Sequence, residues 1–297
     1  ISNESFYKKK IDKNDFLNEL KIFEKDTLNK RFKLALWNSS KSNQFIIYLK
    51  SKNALIGMIR VIKKKIFLSK KFYNVACLTS IGIFPKFRGK GYSKFLLKKN
   101  KIILKKKFKI SFLIARKKLD HFYNKFDFVG NSEFYSLRIN LSNKKIKTNT
   151  SSKKLFVLTN IIKKNYIKTN NKKNGYFQRS NQDWQLIEKK INEENFLIKV
   201  FKLNKKYIGY IIYKDNTIFE YGYEAKYLKD FSITLQKSFK KFIEIKNPCA
   251  KIINQLRNEV EINLTKRFCA YGGHMINYYK NKQLNKVYYN ISYFDEF

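Results

Sequence analysis

The stretch from Leu78 to Asn100 constrains the fold of this chain more than any other segment. An apolar run over residues 76–84 is ended by Pro85, and a turn punctuated by glycine follows at 88–93. Beyond that turn, apolar side chains recur at the spacing of one helix face. The pattern predicts a strand, a tight loop and then a helix whose apolar face carries Tyr92, Phe95, Leu96, Ile102 and Ile103.

The loop between this strand and this helix is suited to binding a phosphate. The first amides of a helix have no acceptor within the helix, and the positive end of the helix dipole lies behind them. Gly89 and Gly91 let the main chain approach an anion without a side chain in between. The spacing is neither the Gly-x-x-x-x-Gly-Lys-Ser/Thr of a Walker loop nor the Gly-x-Gly-x-x-Gly of a Rossmann turn. Both of those nucleotide-binding classes are therefore excluded for this loop.

A different family has a loop of this form. The pattern Pro85-x-x-Arg88-Gly89-x-Gly91-x-Ser93, placed after an apolar strand, resembles the acyl-CoA loop of the GNAT (GCN5-related) N-acetyltransferases. That family's pattern is Arg/Gln-x-x-Gly-x-Gly/Ala, and Arg88, Gly91 and Ser93 occupy its places, with serine in the last position instead of glycine or alanine.

A second segment lies where the same family would require it. The apolar run 110–115 predicts a buried strand, and residues 119–128 predict a short helix that leads into another strand. This segment resembles the family's Ala-x-x-Phe-Tyr-x-Lys-x-Gly-Phe pattern, with Phe122, Tyr123 and Lys125 matching and Asp127 in place of the glycine. Two motifs in the family's order and at its separation support the resemblance over residues 1–140.

The resemblance implies a site. It places the pyrophosphate of acetyl-CoA, the acyl donor, on the loop, and the pantetheine arm along the strand before it. It also makes Tyr123 the candidate acid that protonates the leaving thiolate. The usual glutamate base is replaced by Thr79 and Ser80, with Asp120 and Glu133 near in sequence, so the base stays unassigned. No metal is implied. The residues expected to bind the donor are Ile81, Gly82, Ile83, Arg88, Gly89, Lys90, Gly91, Tyr92 and Ser93.

The chain also predicts two domains. Residues 141–155 are almost entirely polar, which is typical of a linker. They would separate an acyl-CoA domain, 1–140, from a second domain, 156–297. In the second domain Tyr207-Ile-Gly-Tyr210 echoes Leu55-Ile-Gly-Met58, but the helix predicted over 228–245 follows no glycine loop. The expected fold class is therefore α/β, with a mixed sheet in each of two tandem GNAT-like domains, the second without a cofactor site.

Composition adds weaker expectations. The formal charge of +43 invites a nucleic-acid partner, yet only eight of the 65 basic residues are arginine. Lysine spread beside Asn, Ile, Phe and Tyr is typical of codons rich in A and T, whereas phosphate-gripping surfaces favour the arginine fork. Three cysteines and two histidines without zinc spacing favour buried thiols in a reducing, cytoplasmic compartment. No apolar run is long enough to cross a bilayer.

Three functions remain open from the sequence. The first is a CoA-dependent N-acyltransferase, in the simplest case one that transfers acetyl from acetyl-CoA to a primary amine. The second is a non-catalytic relative docked on RNA or a ribonucleoprotein, which the charge favours. The third is a tandem transferase that takes an aminoacyl group from tRNA. An intact acyl-CoA loop favours the first, and neither the acceptor amine nor the oligomeric state follows from the sequence.

Overall fold

The computed structural model describes residues 4–9, 15, 17–18, 21–22, 43–51, 54–115, 117–131, 133–141, 150–155, 158–171, 173, 175–246, 248–268, 273–279 and 295. In the described part, none of the helices is long and apolar enough to cross a membrane.

Fifteen strands are described. They are β1 (Glu4–Lys9), β2 (Gln44–Ser51), β3 (Ala54–Leu68), β4 (Lys71–Ile83), β5 (Ile110–Ala115), β6 (Val129–Asn131), β7 (Glu133–Asn140), β8 (Thr150–Leu155), β9 (Tyr176–Gln178), β10 (Leu197–Leu203), β11 (Lys206–Lys214), β12 (Thr217–Tyr223), β13 (Phe242–Lys246), β14 (Ile262–Phe268) and β15 (Gly273–Tyr278). The helices with full bounds are α1 (Tyr92–Lys105), α2 (Asp120–Asn124), α3 (Asn160–Asn170), α4 (Asn181–Glu193), α5 (Leu228–Lys237) and α6 (Ala250–Arg257).

The strands form two mixed sheets. The first has the order β1-β2-β3-β4-β5-β15-β6, and β9 pairs with the far part of β3, where β2 has ended. The second has the order β8-β10-β11-β12-β13-β7-β14. In each sheet a single parallel pair, β4 with β5 or β12 with β13, lies among antiparallel neighbours. The expected α/β fold with two mixed sheets is confirmed.

The two sheets exchange strands. β7, which follows β6 in the chain, lies between β13 and β14 of the second sheet. β15, which follows β14, lies between β5 and β6 of the first sheet. β8 covers the last part of the expected linker and is an edge strand of the second sheet. The division into residues 1–140 and 156–297 stays a prediction, and membership of the two sheets does not follow it.

Equivalent glycines show that the two halves repeat one scaffold. A Cβ at Gly57 in β3 would lie 2.7 Å from the carbonyl oxygen of Gly82, and a Cβ at Gly209 in β11 would lie 2.7 Å from that of Gly222. Only glycine lets each neighbouring strand and helix approach so closely. The repeated Ile-Gly dipeptides therefore mark the same position in both halves. A Cβ at Gly57 would also meet Leu96 of α1, and a Cβ at Gly209 would meet Phe231 of α5.

Some local expectations differ from the structure. The helix predicted over 228–245 ends at Lys237, because Phe242–Lys246 pairs in the second sheet as β13. On α1, Ile102 is 45% exposed, whereas Leu97 and Leu104 are buried together with the expected Leu96. The core beneath α1 and α2 also includes Leu113, Tyr123 and Phe128 from the strand, helix and turn that follow α1. Which side chains of a helix are buried depends on the sheet that the helix covers. The apolar pattern alone therefore predicted the buried face of α1 only approximately.

Candidate acyl-CoA site

The first sheet opens where β4 and β5 separate. The two strands pair from Val75 with Ile110 to Leu78 with Leu113, and the last five residues of β4 have no pairing with β5. On its other side β4 stays bonded to β3, where Gly82 lies opposite Met58 and Ile83 opposite Gly57. The edge of β4 that faces β5 is therefore open along Ile81–Ile83, which the sequence had marked for the pantetheine arm.

A bulge interrupts β4 just before this open edge. Ile59 of β3 lies opposite two residues of β4, Ser80 and Ile81, because the register shifts by one residue. Ser80 has φ +50°, a left-handed value that is uncommon for serine, and its side chain is 7% exposed. Bulges often redirect backbone groups beside active sites. The corresponding part of β12 pairs with β11 in continuous register from Gly209 to Ile212, so a bulge at this position belongs to β4 and not to β12.

The loop leaves a run of amides without partners. A 3₁₀ turn, Pro85–Phe87, follows β4, and α1 begins at Tyr92 with Gly91 as its N-cap. Gly89 and Gly91 have φ values of +77° and +80°, and a Cβ built on either meets nothing within 4 Å. Among the described residues, the amides of residues 89–93 donate no hydrogen bond, whereas those of Lys94 and Phe95 donate to the carbonyl of Gly91. Five successive donors and open space fit a pyrophosphate.

Arg88 makes hydrogen bonds within the protein, and its expected contact with the donor stays a prediction. Its amide donates to the carbonyl of Pro85 over 3.1 Å, so it is not available to a ligand. Its guanidinium donates to the carbonyl of Ile83 over 3.2 Å and to the carbonyl of Ile22 over 2.6 Å. The side chain thus joins the loop to the end of β4 and to the N-terminal segment. Ile22 carries no sequence signal for this contact, because only its backbone takes part.

Tyr123 lies in the core cluster that includes Leu113 and Ala115 of β5, and Ile81 and Ile83 pack against that cluster. The ring makes edge contacts with Phe122 and Phe128. Burial raises the pKa of the Tyr123 hydroxyl to about 12, so the hydroxyl is protonated at neutral pH. Among the described residues the hydroxyl makes no hydrogen bond. Tyr123 is therefore a protonated phenol that is held by apolar packing in the cluster that Ile81 and Ile83 contact.

The two acids that lie near the site in sequence belong to different parts of the fold. Asp120 begins α2, three residues before Tyr123. Glu133 begins β7 and pairs with Phe268 of β14, so its backbone belongs to the second sheet. The described residues contain no group of three or more metal-ligand side chains.

The second half has the same scaffold without the loop. The amides of Phe84 and Glu224 donate to the carbonyls of Ile56 and Ile208 over 2.9 and 3.0 Å. A 3₁₀ turn then follows in both halves, ending at Phe87 in one and at Tyr227 in the other. The helix α5 begins at Leu228, directly after its turn, whereas four residues lie between α1 and its turn. Residues 88–91 are thus an insertion that belongs to the first half alone.

The comparisons with known proteins agree with this geometry. Residues 13–128 match the family model described as the acetyltransferase (GNAT) family. None of the curated proteins matches the chain. Among solved structures, a conserved Enterococcus faecalis protein described as a probable N-acyltransferase is 16% identical, with a TM-score of 0.68 over 92% of this chain and 72% of that one.

Two further solved structures share the fold. A GCN5-related N-acetyltransferase from Anabaena variabilis is 14% identical, with a TM-score of 0.69 over 92% of this chain and 73% of its own. The Eis1 protein of Mycobacterium abscessus is 12% identical, with a TM-score of 0.67 over the same shares. Identities this low show the fold alone.

The matched residues 13–128 contain the separation of β4 from β5 and the glycine loop that caps α1. By family model and by fold, this part of the chain is similar to the acetyltransferase (GNAT) family.

Proposed function

We propose that the chain is a CoA-dependent N-acyltransferase, and that its simplest reaction transfers acetyl from acetyl-CoA to a primary amine. The observation that carries the proposal is the run of free amides over residues 89–93 at the N-terminus of α1, next to the open edge of β4. Unpaired donors are costly unless water or a ligand satisfies them. A diphosphate offers acceptors at this spacing, and the helix dipole adds to its binding.

The chain's own residues have three tasks in this reaction. The amides of residues 89–93 hold the donor's diphosphate, and Gly89 and Gly91 keep side chains out of its way. The open edge of Ile81–Ile83 orients the arm that carries the acyl group, which converts a bimolecular attack into one between aligned partners. Bound acetyl-CoA supplies an activated thioester carbonyl, and backbone amides near that carbonyl favour the developing negative charge.

Tyr123 is the proposed acid. The amine that attacks must be neutral, and the thiolate that departs must receive a proton. A phenol whose pKa is about 12 keeps its proton at neutral pH and can donate it to a thiolate beside it. With the pKa of the empty site, proton transfer from Tyr123 to the thiolate is unfavourable, because the pKa of the phenol is about 12 and that of an ordinary thiol is near 8.5. Dipoles of the occupied site must lower the phenol's pKa for the step to be fast. An amine that arrives neutral needs no base before the attack, and a water chain accepts the proton that its nitrogen loses afterwards.

A titration tests the proposal. We expect one equivalent of acetyl-CoA to bind per chain by isothermal calorimetry. Gly91→Val should abolish binding, because a β-branched residue is disfavoured at φ +80° and its side chain would fill the cradle. Lys90→Ala, which leaves the backbone unchanged, should weaken binding far less. Wild-type affinity in Gly91→Val with a normal thermal melt would refute the proposed site, as would a wild-type chain that binds no acetyl-CoA.

A cytoplasmic setting is part of the same proposal. Cys77 is buried in β4, and burial raises the pKa of its thiol well above the ordinary value. A buried, protonated thiol without a disulfide fits a reducing compartment, where acetyl-CoA is also expected.

A further inference from the structure

Acidic residues are distributed unevenly along this chain. It has 22 aspartates and glutamates, but none occurs between Asp26 and Asp120. The same 93 residues contain 26 of the 65 lysines and arginines. Codon composition acts on the whole chain, so it accounts for abundant lysine everywhere but not for the loss of acids from one segment. The gap therefore gives this part of the chain a local excess of positive charge that codon composition does not explain.

The structure places much of this charge on one helix. On α1 the apolar face, which includes Leu96, Leu97 and Leu104, is buried against the first sheet. The opposite side exposes a set of lysines that we call the lysine face. Among the described residues, an ion pair joins Lys101 of this helix to Asp127 at the edge of the lysine face. The lysine face consists of Lys94, Lys98, Lys99 and Lys105 of α1 and of Lys106, its C-cap residue.

The equivalent helix of the second half provides an internal comparison. α5 covers the second sheet as α1 covers the first, and it exposes Lys229 and Lys237. Its first turn also contains Asp230, whereas α1 has no acid. The equivalent helix of one scaffold therefore carries mixed charge in the second half and only positive charge in the first. The lysine face is thus a property of α1, and it does not follow from the fold.

We propose that the lysine face binds the phosphodiester backbone of a nucleic acid. Lysine ammonium groups bind phosphates as point charges and carry no base specificity, which suits backbone contacts made irrespective of sequence. At 1.5 Å per residue, the fourteen residues of α1 extend over about 21 Å, enough for several successive phosphates. Binding of this kind comes largely from the release of counterions.

Two other kinds of partner, a membrane and a protein, fit the lysine face less well. A helix that binds membranes inserts its apolar side into the lipid, but the apolar side of α1 is buried in the protein core. Ile102 is the one large apolar side chain exposed on this helix. Protein interfaces are depleted in lysine and enriched in aromatic residues and arginine at their centres. Sequence-independent phosphate contact needs neither an apolar anchor nor a bidentate donor.

The test compares two variants of equal net charge. One replaces Lys98, Lys99, Lys105 and Lys106 by glutamine, and the control replaces Lys153, Lys206, Lys240 and Lys241, all exposed and outside α1. Both lower the formal charge by four. Binding of a labelled oligouridylate and of a DNA duplex would be measured by fluorescence anisotropy, with salt varied from about 50 to 200 mM. Vesicles containing phosphatidylserine provide a third arm, and acetyl-CoA titration checks that each variant is intact.

We expect the wild type to bind the oligouridylate with an affinity that falls steeply with salt. The α1 variant should reduce the slope of log K against log salt by roughly three, since each lost contact to a single strand contributes about 0.7. The control should change the slope by less than one. Equal losses in both variants would show a response to net charge alone and would overturn the proposal. So would binding to vesicles in preference to both nucleic acids, or an absence of binding at the lowest salt.

Discussion

The hydroxyl of Thr169 makes hydrogen bonds with the backbone of Tyr223, at the edge of β12 in the second sheet. It donates to the carbonyl of Tyr223 over 2.9 Å and accepts from the amide of the same residue over 2.6 Å. Tyr223 lies opposite Gly209, and Ile83 lies opposite Gly57, so the two residues are equivalent. In the first half this backbone position is proposed to face the donor. In the second half α3 already satisfies it.

Thr169→Val should therefore destabilise the fold without changing the first site. Valine keeps the shape but leaves the amide and carbonyl of Tyr223 unpaired and buried, at a cost of about 1–3 kcal/mol. Thr159→Val is the matched control, because the Thr159 hydroxyl at the start of α3 has no hydrogen-bond partner among the described residues. Urea unfolding measures the difference. Equal stability of the two variants, or two acetyl-CoA per chain in either, would contradict this account of the second half.

Tyr123→Phe tests the proposed acid. The variant keeps the ring contacts with Phe122 and Phe128 but has no proton to give, so turnover should fall by roughly 10²–10⁴ with little change in acetyl-CoA affinity. Because the pKa of Tyr123 in the empty site is about 12, kcat/KM, which reports the free enzyme, should decline only as the pH rises towards that value. Tyr73→Phe removes a hydroxyl from the far end of β4 and should keep full activity. A fully active Tyr123→Phe would leave the residue a role in packing only.

Arg179 holds a buried charge cluster. Its guanidinium donates to both oxygens of Glu220 and both of Asp295, and it lies 3.7 Å from the ring centroid of Tyr166. Arg179→Ala would leave two buried carboxylates without their cation, which should cost about 3–5 kcal/mol. Arg257→Ala removes the same charge from an exposed helix end and should change stability by no more than about 0.5 kcal/mol. Chemical unfolding of both variants measures the contrast, and similar losses would show that the cluster is not held by Arg179.

Cys249 should be the more reactive of the two described cysteines. Burial acts to raise the pKa of its thiol, but the nearby Lys173 ammonium and hydrogen bonds from Tyr223, Tyr221 and the amide of Ile252 outweigh it, so the pKa is lowered. At neutral pH Cys249 thus has more thiolate than an ordinary cysteine, and its alkylation should level off at a lower pH than that of a free thiol. Mass spectrometry after iodoacetamide treatment at several pH values measures this. Lys173→Met should shift the profile to higher pH, and an unshifted profile would contradict the assigned cause.

The exchange of β7 and β15 predicts a single unfolding transition. Each sheet contains a strand from the other half, so neither can unfold while the other stays complete. We expect one calorimetric peak with equal van't Hoff and calorimetric enthalpies, and acetyl-CoA should move all of it to higher temperature. Two peaks, with only one moved by the ligand, would show that the halves unfold separately despite the exchange.

The sequence by itself determined the elements that are local. Proline and glycine determined the change from β4 to the loop, and an apolar run determined β5, because turn chemistry and periodicity act over a few residues. The repeated Ile-Gly dipeptide even marked the duplication, since close packing there excludes any side chain. Missing glycines before α5 likewise predicted a second half without a loop.

Only the tertiary structure decided the long-range pairings. The local pattern from Glu133 to Asn140 would suit a strand of either sheet. Its place between β13 and β14 depends on contacts with residues more than a hundred positions away. The bulge at Ser80 arises from the register with β3, and the bond from Arg88 to Ile22 uses a backbone carbonyl that any residue has. The hydroxyl of Thr169 likewise finds its partner through packing of α3. Such contacts leave no local pattern, because their energy depends on which surfaces the completed fold brings together.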